Sequence, residues 1–188
     1  MLVRLSNLAT CTLLVFGFSS VVSAQTSTAV GQPTFELSAG YQYLHIPDRS
    51  FPFGVVVDGA RQYGPFGLAA EVGWSRDSND NANIGTTTNM FHFAAGPRWT
   101  GFSAGRLWPY AQVVGGAEVA HTSTDVANSG NTQTAFMLQP GVGATVVAGD
   151  GWSFFGQVDY RRAFFDETEN GKINNQFRIL FGARMLLD

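Results

Sequence analysis

Between residues 34 and 187 the chain alternates apolar and polar side chains in runs of about a dozen residues, each closed by a cluster of Gly, Pro, Asn, Asp or Ser. A period of two with such punctuation predicts strands at about 34–45, 52–62, 66–76, 87–100, 107–121, 133–147, 152–164 and 174–187, with no amphipathic helix between them. The connections alternate too. Residues 46–51, 76–86, 122–132 and 165–173 are polar and mostly long, whereas 63–65, 101–106 and 148–151 are short. In an up-and-down meander these two sets fall at opposite ends, so the pattern predicts loops at one rim and tight turns at the other.

The two faces of each strand differ sharply. In the last run Phe177, Ile179, Phe181, Ala183, Met185 and Leu187 share one face, and Gln176, Arg178, Gly182 and Arg184 the other. Phe66, Leu68, Ala70, Val72 and Trp74 likewise oppose Gly67, Ala69, Glu71, Gly73 and Ser75, and Phe91, Phe93, Ala95, Pro97 and Trp99 oppose Met90, His92, Ala94, Gly96 and Arg98. Alternation alone fits a soluble barrel with a greasy lumen as well as a membrane barrel with a polar one.

Composition separates the two. Charged residues make up 13% of the chain, Lys172 is its only lysine, and the polar faces are rich in Gly and Ala. A water-facing sheet surface would carry lysine and glutamate, whereas the narrow interior of eight strands takes small residues with a few long polar ones between them. Trp74, Trp99, Trp108, Trp152, Phe164 and Phe165 gather near strand ends, where interfacial girdles would lie. The expected fold is therefore all-β: an eight-stranded antiparallel up-and-down transmembrane β-barrel. With 14 acids against 11 bases there is no basic surface for nucleic acid.

That orientation points Glu36, Asp58, Glu71, Glu118 and Asp159 into the lumen, with Arg98, Arg161, Arg178, Arg184, His92, Gln42, Gln112, Gln139 and Gln157. Five acids facing four arginines and one histidine can be mutually paired, as charges in a poorly hydrated interior must be. Such a network plugs the barrel; the alternative is an ion gate that opens on rearrangement.

The N-terminus reads as a secretory signal. Arg4 is the positive flank, residues 8–22 the apolar stretch, and Val22-Ser23-Ala24 the small-x-small cleavage site, dividing the chain into a signal peptide, 1–24, and a barrel domain, 25–188. The rival lipoprotein signal Leu8-Ala9-Thr10-Cys11 has only ten residues before its cysteine. Cys11 is the sole cysteine, so cleavage leaves no disulfide or thiolate chemistry.

Several segments together resemble a known family. Ser23-Ala24-Gln25, the strand from Phe35 to Tyr41, the segment from Gly64 to Gly73, Ala94-Ala95-Gly96-Pro97-Arg98-Trp99, the segment from Leu107 to Gly116 and the closing run from Asn175 to Arg184 are similar to the small outer-membrane barrels of the OmpA/OmpX-like, "porin family" type. The resemblance spans essentially 25–188. It implies the outer membrane of a Gram-negative-type cell, contact with its lipid and lipopolysaccharide, insertion by the barrel assembly machinery, and no cofactor. It assigns no activity, since the family includes adhesins, virulence factors and structural anchors. The chain departs from the family in closing on Met185-Leu186-Leu187-Asp188 instead of an aromatic, and in lacking a peptidoglycan-binding domain.

Catalytic and metal motifs are thin. Gly101-Phe102-Ser103-Ala104-Gly105 matches the nucleophile-elbow string, but that elbow needs a following helix and here a strand follows. His121 and Ser123 share a strand face, an arrangement resembling outer-membrane lipid A deacylases, with Asp125 the only close acid. Asp77-Ser78-Asn79-Asp80-Asn81-Ala82 begins like a calcium loop but lacks the glycine and the closing glutamate, and reads as a solvated loop. His45, His92 and His121 lack ligand spacing. The acidic stretch from Asp166 to Glu169 could attract divalent cations. The expected function is non-enzymatic, in envelope structure or surface-loop interactions with an unidentified ligand. The alternatives are a narrow gated pore, a lipid A deacylase-like hydrolase, and a soluble lipocalin-like binder with its aromatics inside.

Overall fold

The computed structural model describes residues 34–47, 49–81, 84–101, 105–124, 129–149, 151–164 and 175–187. The proposed signal peptide and residues 165–173 lie outside the described residues. Among the described residues nine strands occur in order: β1 (Phe35–Ile46), β2 (Arg49–Phe51), β3 (Phe53–Tyr63), β4 (Phe66–Asn81), β5 (Ile84–Thr100), β6 (Leu107–Thr124), β7 (Ser129–Gly149), β8 (Trp152–Phe164) and β9 (Asn175–Leu187). All pairings are antiparallel between neighbours, and β9 pairs back onto β1, which closes the sheet. β2 and β3 are one stave interrupted at Pro52, so the barrel has eight.

The register fixes the shape. Starting from Phe35 and crossing Arg61, Leu68, Pro97, Val113, Pro140, Tyr160 and Phe177, the pairing returns to β1 at His45, a shear of ten residues (from 35 to 45). Eight strands with that shear tilt by about 40–45° and enclose a lumen that side chains can fill.

The interruption at Pro52 is a β-bulge. Leu44 pairs with Phe51 while Tyr41 pairs with Val55, so β2–β3 carries one more residue than β1 across this interval. The parity of the stave therefore flips: Phe51 is buried in the lumen at 1% exposure and Phe53, two residues on, faces outward at 54%. Proline suits the position because it has no N–H to leave unpaired, and its carbonyl accepts a hydrogen bond from the Tyr41 hydroxyl. Period-two reading of 52–62 misses this bulge.

Tight turns join the staves at the end that holds both strand termini, Phe35 and Leu187. Tyr63 and Phe66 pair directly across Gly64-Pro65, with Gly64 at φ 67°, the left-handed conformation a two-residue hairpin requires. The opposite rim departs from expectation. Residues 76–86 and 122–132 are not long loops: β4 runs to Asn81, β5 starts at Ile84, β6 runs to Thr124 and β7 starts at Ser129. Both hairpins project beyond their neighbours. β3 ends where Phe53 meets Arg76, and β8 ends where Phe164 meets Phe136.

One close approach constrains the β5–β6 pair. A Cβ built on Gly116 would stand 2.6 Å from the Ala94 Cα and press on the Phe93 carbonyl, whereas one on Gly115 meets its nearest neighbours at 3.5 Å or more. Backbone cannot swing aside as a side chain can. Gly116→Ala is therefore expected to destabilise the barrel by about 1–3 kcal/mol and Gly115→Ala by less than about 0.5 kcal/mol, read as the shift in urea midpoint of each variant folded in lipid vesicles.

Candidate functional site: the lumen network

The outer surface fixes which side is which. Leu37, Val57, Leu68, Val72, Phe93, Val113, Val142, Phe154, Val158, Ile179 and Phe181 all face outward and are exposed. On β8 the outward residues run Trp152, Phe154, Gly156, Val158, Tyr160, Arg162, Phe164, so an apolar belt has aromatics at each side, with a charge between the two aromatics nearest the loop rim. Arg76 on β4 marks the same boundary. Eight residues of tilted strand from Trp152 to Tyr160 span about 20 Å, near the ~25 Å of a lipid-facing band. A lipocalin-like binder needs these aromatics inside, and the structure has them outside. Trp108 is a correction in the other direction: it does not join the girdle but is buried at 2% exposure, its indole Nε1 donating to the Gly105 carbonyl at 3.3 Å.

Inside, Glu36, Asp58, Glu71, His92, Arg98, Glu118, Asp159, Arg161, Arg178 and Arg184 are all buried, together with Gln42, Gln112, Gln139 and Gln157. They divide into two groups. Towards the turn rim Arg98 donates through Nη1 to Glu36 (3.0 Å), through Nη2 to Asp58 (2.7 Å) and through Nε to Gln112 (2.9 Å). Arg184 reaches the same two carboxylates, with Nη1 3.1 Å from Glu36 and Nη2 3.4 Å from Asp58, and donates to Thr145. The Tyr110 ring lies 4.9 Å from each of these guanidinium carbons. Two arginines share two acids because the planar fork can serve more than one acceptor.

The second group centres on Arg178. Its Nη2 contacts both oxygens of Glu71 (2.8 and 3.0 Å) and lies 2.8 Å from Asp159 Oδ2, its Nε donates to Asp159 (2.9 Å), and its Nη1 meets Gln42 Oε1 (3.1 Å) and His92 Nε2 (2.9 Å). Gln139 donates to Glu71 (3.0 Å) and accepts from Arg161 (2.7 Å), which also binds Glu118 (2.7 Å); Gln176 donates to Glu118 (2.6 Å). Tyr110 joins the two groups through Gln157, which in turn donates to Asp159. Sequence reasoning omitted Tyr110, although it shares the parity of Gln112, and placed Gln176 on the polar face beside Arg178 without counting it in the network.

Towards the loop rim the lumen becomes apolar, which the polar-lumen expectation did not contain. Leu44, Ile46, Phe51, Met90, Ala120 and Met137 form a buried layer there. Above it Asp77, expected in a solvated calcium-type loop, is instead a β4 residue facing inward, where it pairs with Arg49 Nε. Arg49 also donates through Nη1 to Thr88 (2.7 Å), whose hydroxyl lies 3.2 Å from that of Thr122.

The hydrolase motifs do not assemble among the described residues. His121 is exposed on β6 with its Nδ1 2.8 Å from the Thr132 hydroxyl, a contact with no acid; Asp125 lies outside the described residues. In the elbow string Gly101 follows β5 and Gly105 precedes β6, so no helix follows Ser103, which is itself not described. His45 binds Ser50, and no group of three or more metal-ligating side chains gathers among the described residues.

No protein-family model matches the chain, and no curated protein matches it in sequence. Solved structures do match its fold. Neisserial surface protein A superposes with a TM-score of 0.62 at 12% identity, covering 81% of this chain and 96% of that one. A major outer membrane protein from Thermus thermophilus gives 0.58 at 12% identity, covering 80% and 97%. Ail, the attachment invasion locus protein of Yersinia pestis, solved with the heparin analogue sucrose octasulfate, gives 0.54 at 12% identity, covering 80% and 96%. The shared feature is the fold: a closed, eight-stave barrel of the bacterial outer-membrane type.

Proposed function

We propose that residues 25–188, freed of a signal peptide at 1–24, form a non-enzymatic outer-membrane barrel with a plugged lumen. Its role is to reinforce the envelope and present a polar sheet at the cell surface. The observation that carries this reading is the occupancy of the lumen. Arg98, Arg161, Arg178 and Arg184 are each exposed by 1% or less, and each is held by carboxylates. Charges lining an aqueous pore keep their hydration; these have exchanged water for fixed partners.

The projecting hairpins supply the surface. Beyond Arg76 and Phe136 the strands are built mainly from Ser, Thr, Asn and Asp, and along its outer edge β4 (77–81) pairs with no strand among the described residues. Polar sheet edges in water can accept an extended segment of a partner. Arg76 and Arg162, at the outer boundary of the belt, are suited to lipopolysaccharide phosphates. Insertion would use the barrel assembly machinery.

Two measurements test the reading together. Unboiled protein from the outer-membrane fraction is expected to migrate differently from boiled protein on electrophoresis, because the closed sheet resists detergent until heated. The same preparation is expected to give no discrete conductance steps in a planar bilayer. A shifted band with discrete conductance steps would support the gated pore instead. One geometric feature favours that alternative: Arg178 Nη2 sits 2.8 Å from both Glu71 and Asp159, so the guanidinium has a second partner ready when one contact breaks.

A further inference from the structure

We propose that a furrow on the outer face of the barrel, near the turn rim, holds one glycerophospholipid, with an acyl chain along its floor and the phosphate on Arg61. The proposal rests on the reading of that face as lipid-facing and adds to it a lipid fixed at one place.

The pairing register builds the furrow. Gly59, Ala70, Ala95 and Gly115 stand side by side on β3, β4, β5 and β6, all at outward parity. The rows on either side carry bulk: Arg61, Leu68 and Pro97 towards the turn rim, and Val57, Val72 and Phe93 towards the middle of the belt. Small residues between two ridges leave a depression of about 390 Å³. At the ~30 Å³ of a water-sized group it has room for about a dozen methylenes. Rings close both ends of the floor. A Cβ on Gly59 would lie 3.9 Å from Phe35 Cζ, and one on Gly115 would lie 3.5 Å from Phe136 Cζ. Hydrocarbon already surrounds the belt, so the hydrophobic effect selects nothing there and fit decides. A chain lying in the furrow touches protein on three sides, whereas one on the flat belt touches it on one.

Arg61 specifies the lipid. It lines the furrow and stands two residues inside Tyr63 on the same strand face, within the apolar belt. Its guanidinium carbon is 5.3 Å from the centre of the Tyr63 ring, and it makes no hydrogen bond or ion pair with the described residues. No acidic side chain lines the furrow among those residues. A cation at this depth extends along its stem towards the interface, and the anion the bilayer offers there is a lipid phosphate. The hairpins project from the opposite rim, so the furrow opens to the other leaflet from Arg76 and Arg162. Because Arg61 is the one charged residue in this lining among the described residues, the site selects for a phosphate with a chain and is indifferent to what the phosphate carries.

The outer-membrane form of the chain, extracted in mild detergent, would be titrated with palmitoyl-oleoyl phosphatidylglycerol and followed by native mass spectrometry. The expected result is saturable binding of a single lipid per barrel, with the phosphatidylethanolamine of the same chains binding equally. Diacylglycerol of the same chains is expected to bind about five-fold more weakly, the worth of one arginine beside a phosphate. Arg61→Gln is expected to weaken phosphatidylglycerol by the same factor and to leave diacylglycerol unchanged, so that the two bind alike. Gly59→Leu, whose Cβ has no neighbour nearer than 3.8 Å, fills the floor and is expected to abolish saturable binding; Ala70→Leu does the same from β4. Gly156→Leu adds equal bulk at an outward glycine of β8, with its nearest neighbour at 4.0 Å, and is expected to keep the lipid. Retention of the boiling-dependent mobility shift shows that each variant is folded. Undiminished binding by Gly59→Leu or Ala70→Leu would overturn the furrow, and undiminished phosphatidylglycerol binding by Arg61→Gln would overturn the phosphate assignment. A lipid-free dimer that Gly59→Leu dissociates would give the furrow to a second copy of the chain and overturn the lipid. An unmutated chain without the mobility shift would overturn the membrane-barrel reading, and the furrow with it.

Discussion

Replacing Arg178 by methionine is expected to lower the unfolding free energy of the barrel by about 3–5 kcal/mol, the cost of removing one partner from a buried ion network. Arg178 is completely buried and touches Glu71, Asp159, Gln42 and His92 at once. Without it, Glu71 keeps Gln139 and His92, and Asp159 keeps Gln157, but two carboxylates remain enclosed, and the neighbouring Arg161 is already paired with Glu118. Urea titration in lipid vesicles, followed by tryptophan fluorescence, reads the change. The triple variant Arg178→Met, Glu71→Gln, Asp159→Asn is expected to recover most of the loss, because neutralising the whole group removes the unpaired charge as well as the attraction. A triple variant as unstable as the single one would show that methionine fails on packing rather than charge.

The second large effect belongs to the opposite face. Val158 faces outward midway between Trp152 and Arg162 on β8. Val158→Arg is expected to cost about 2–4 kcal/mol, as a cation near the bilayer midplane does, whereas Ser78→Arg, on the projecting part of β4, is expected to cost about 0–1 kcal/mol. The same urea titration separates them. Equal, small effects at both positions would mean that the apolar face does not lie in hydrocarbon.

The two faces were legible in the sequence for a physical reason. Within the belt one side of each strand meets lipid and the other meets the packed lumen, so Phe154, Val158 and Tyr160 must contrast with Gln157, Asp159 and Arg161, and parity assigns every residue once one is placed. The same cause explains where legibility stopped. Past Asp77 and Phe136 the hairpins carry polar residues at both parities, the contrast disappears, and Ser78, Thr86 or Asn131 reads as loop although it is strand. At Pro52 the extra residue resets the parity, a change that composition does not signal. Trp108 was grouped with the girdle because it is aromatic and near a strand end; its parity, shared with Tyr110 and Gln112, already pointed inward. Leu44 and Ile46 likewise share the parity of Glu36 and Gln42, but a lumen read as polar throughout had no place for them.

The seam between β1 and β9 carries a consequence for how such a chain is made. Its pairs run from Phe35 with Leu187 to His45 with Phe177, joining the first strand of the barrel to the last. The contact that completes the fold is thus also the one most distant along the chain, and it cannot form while β9 is missing. A barrel stopped after β8 would present two open edges, one on β1 and one on β8, and hydrocarbon has no partner to offer their amides and carbonyls. A domain in water can let its first half set while the second is still being made. Here an unfinished chain has no stable place in the bilayer, so entry to the membrane is itself a check that the final strand has arrived.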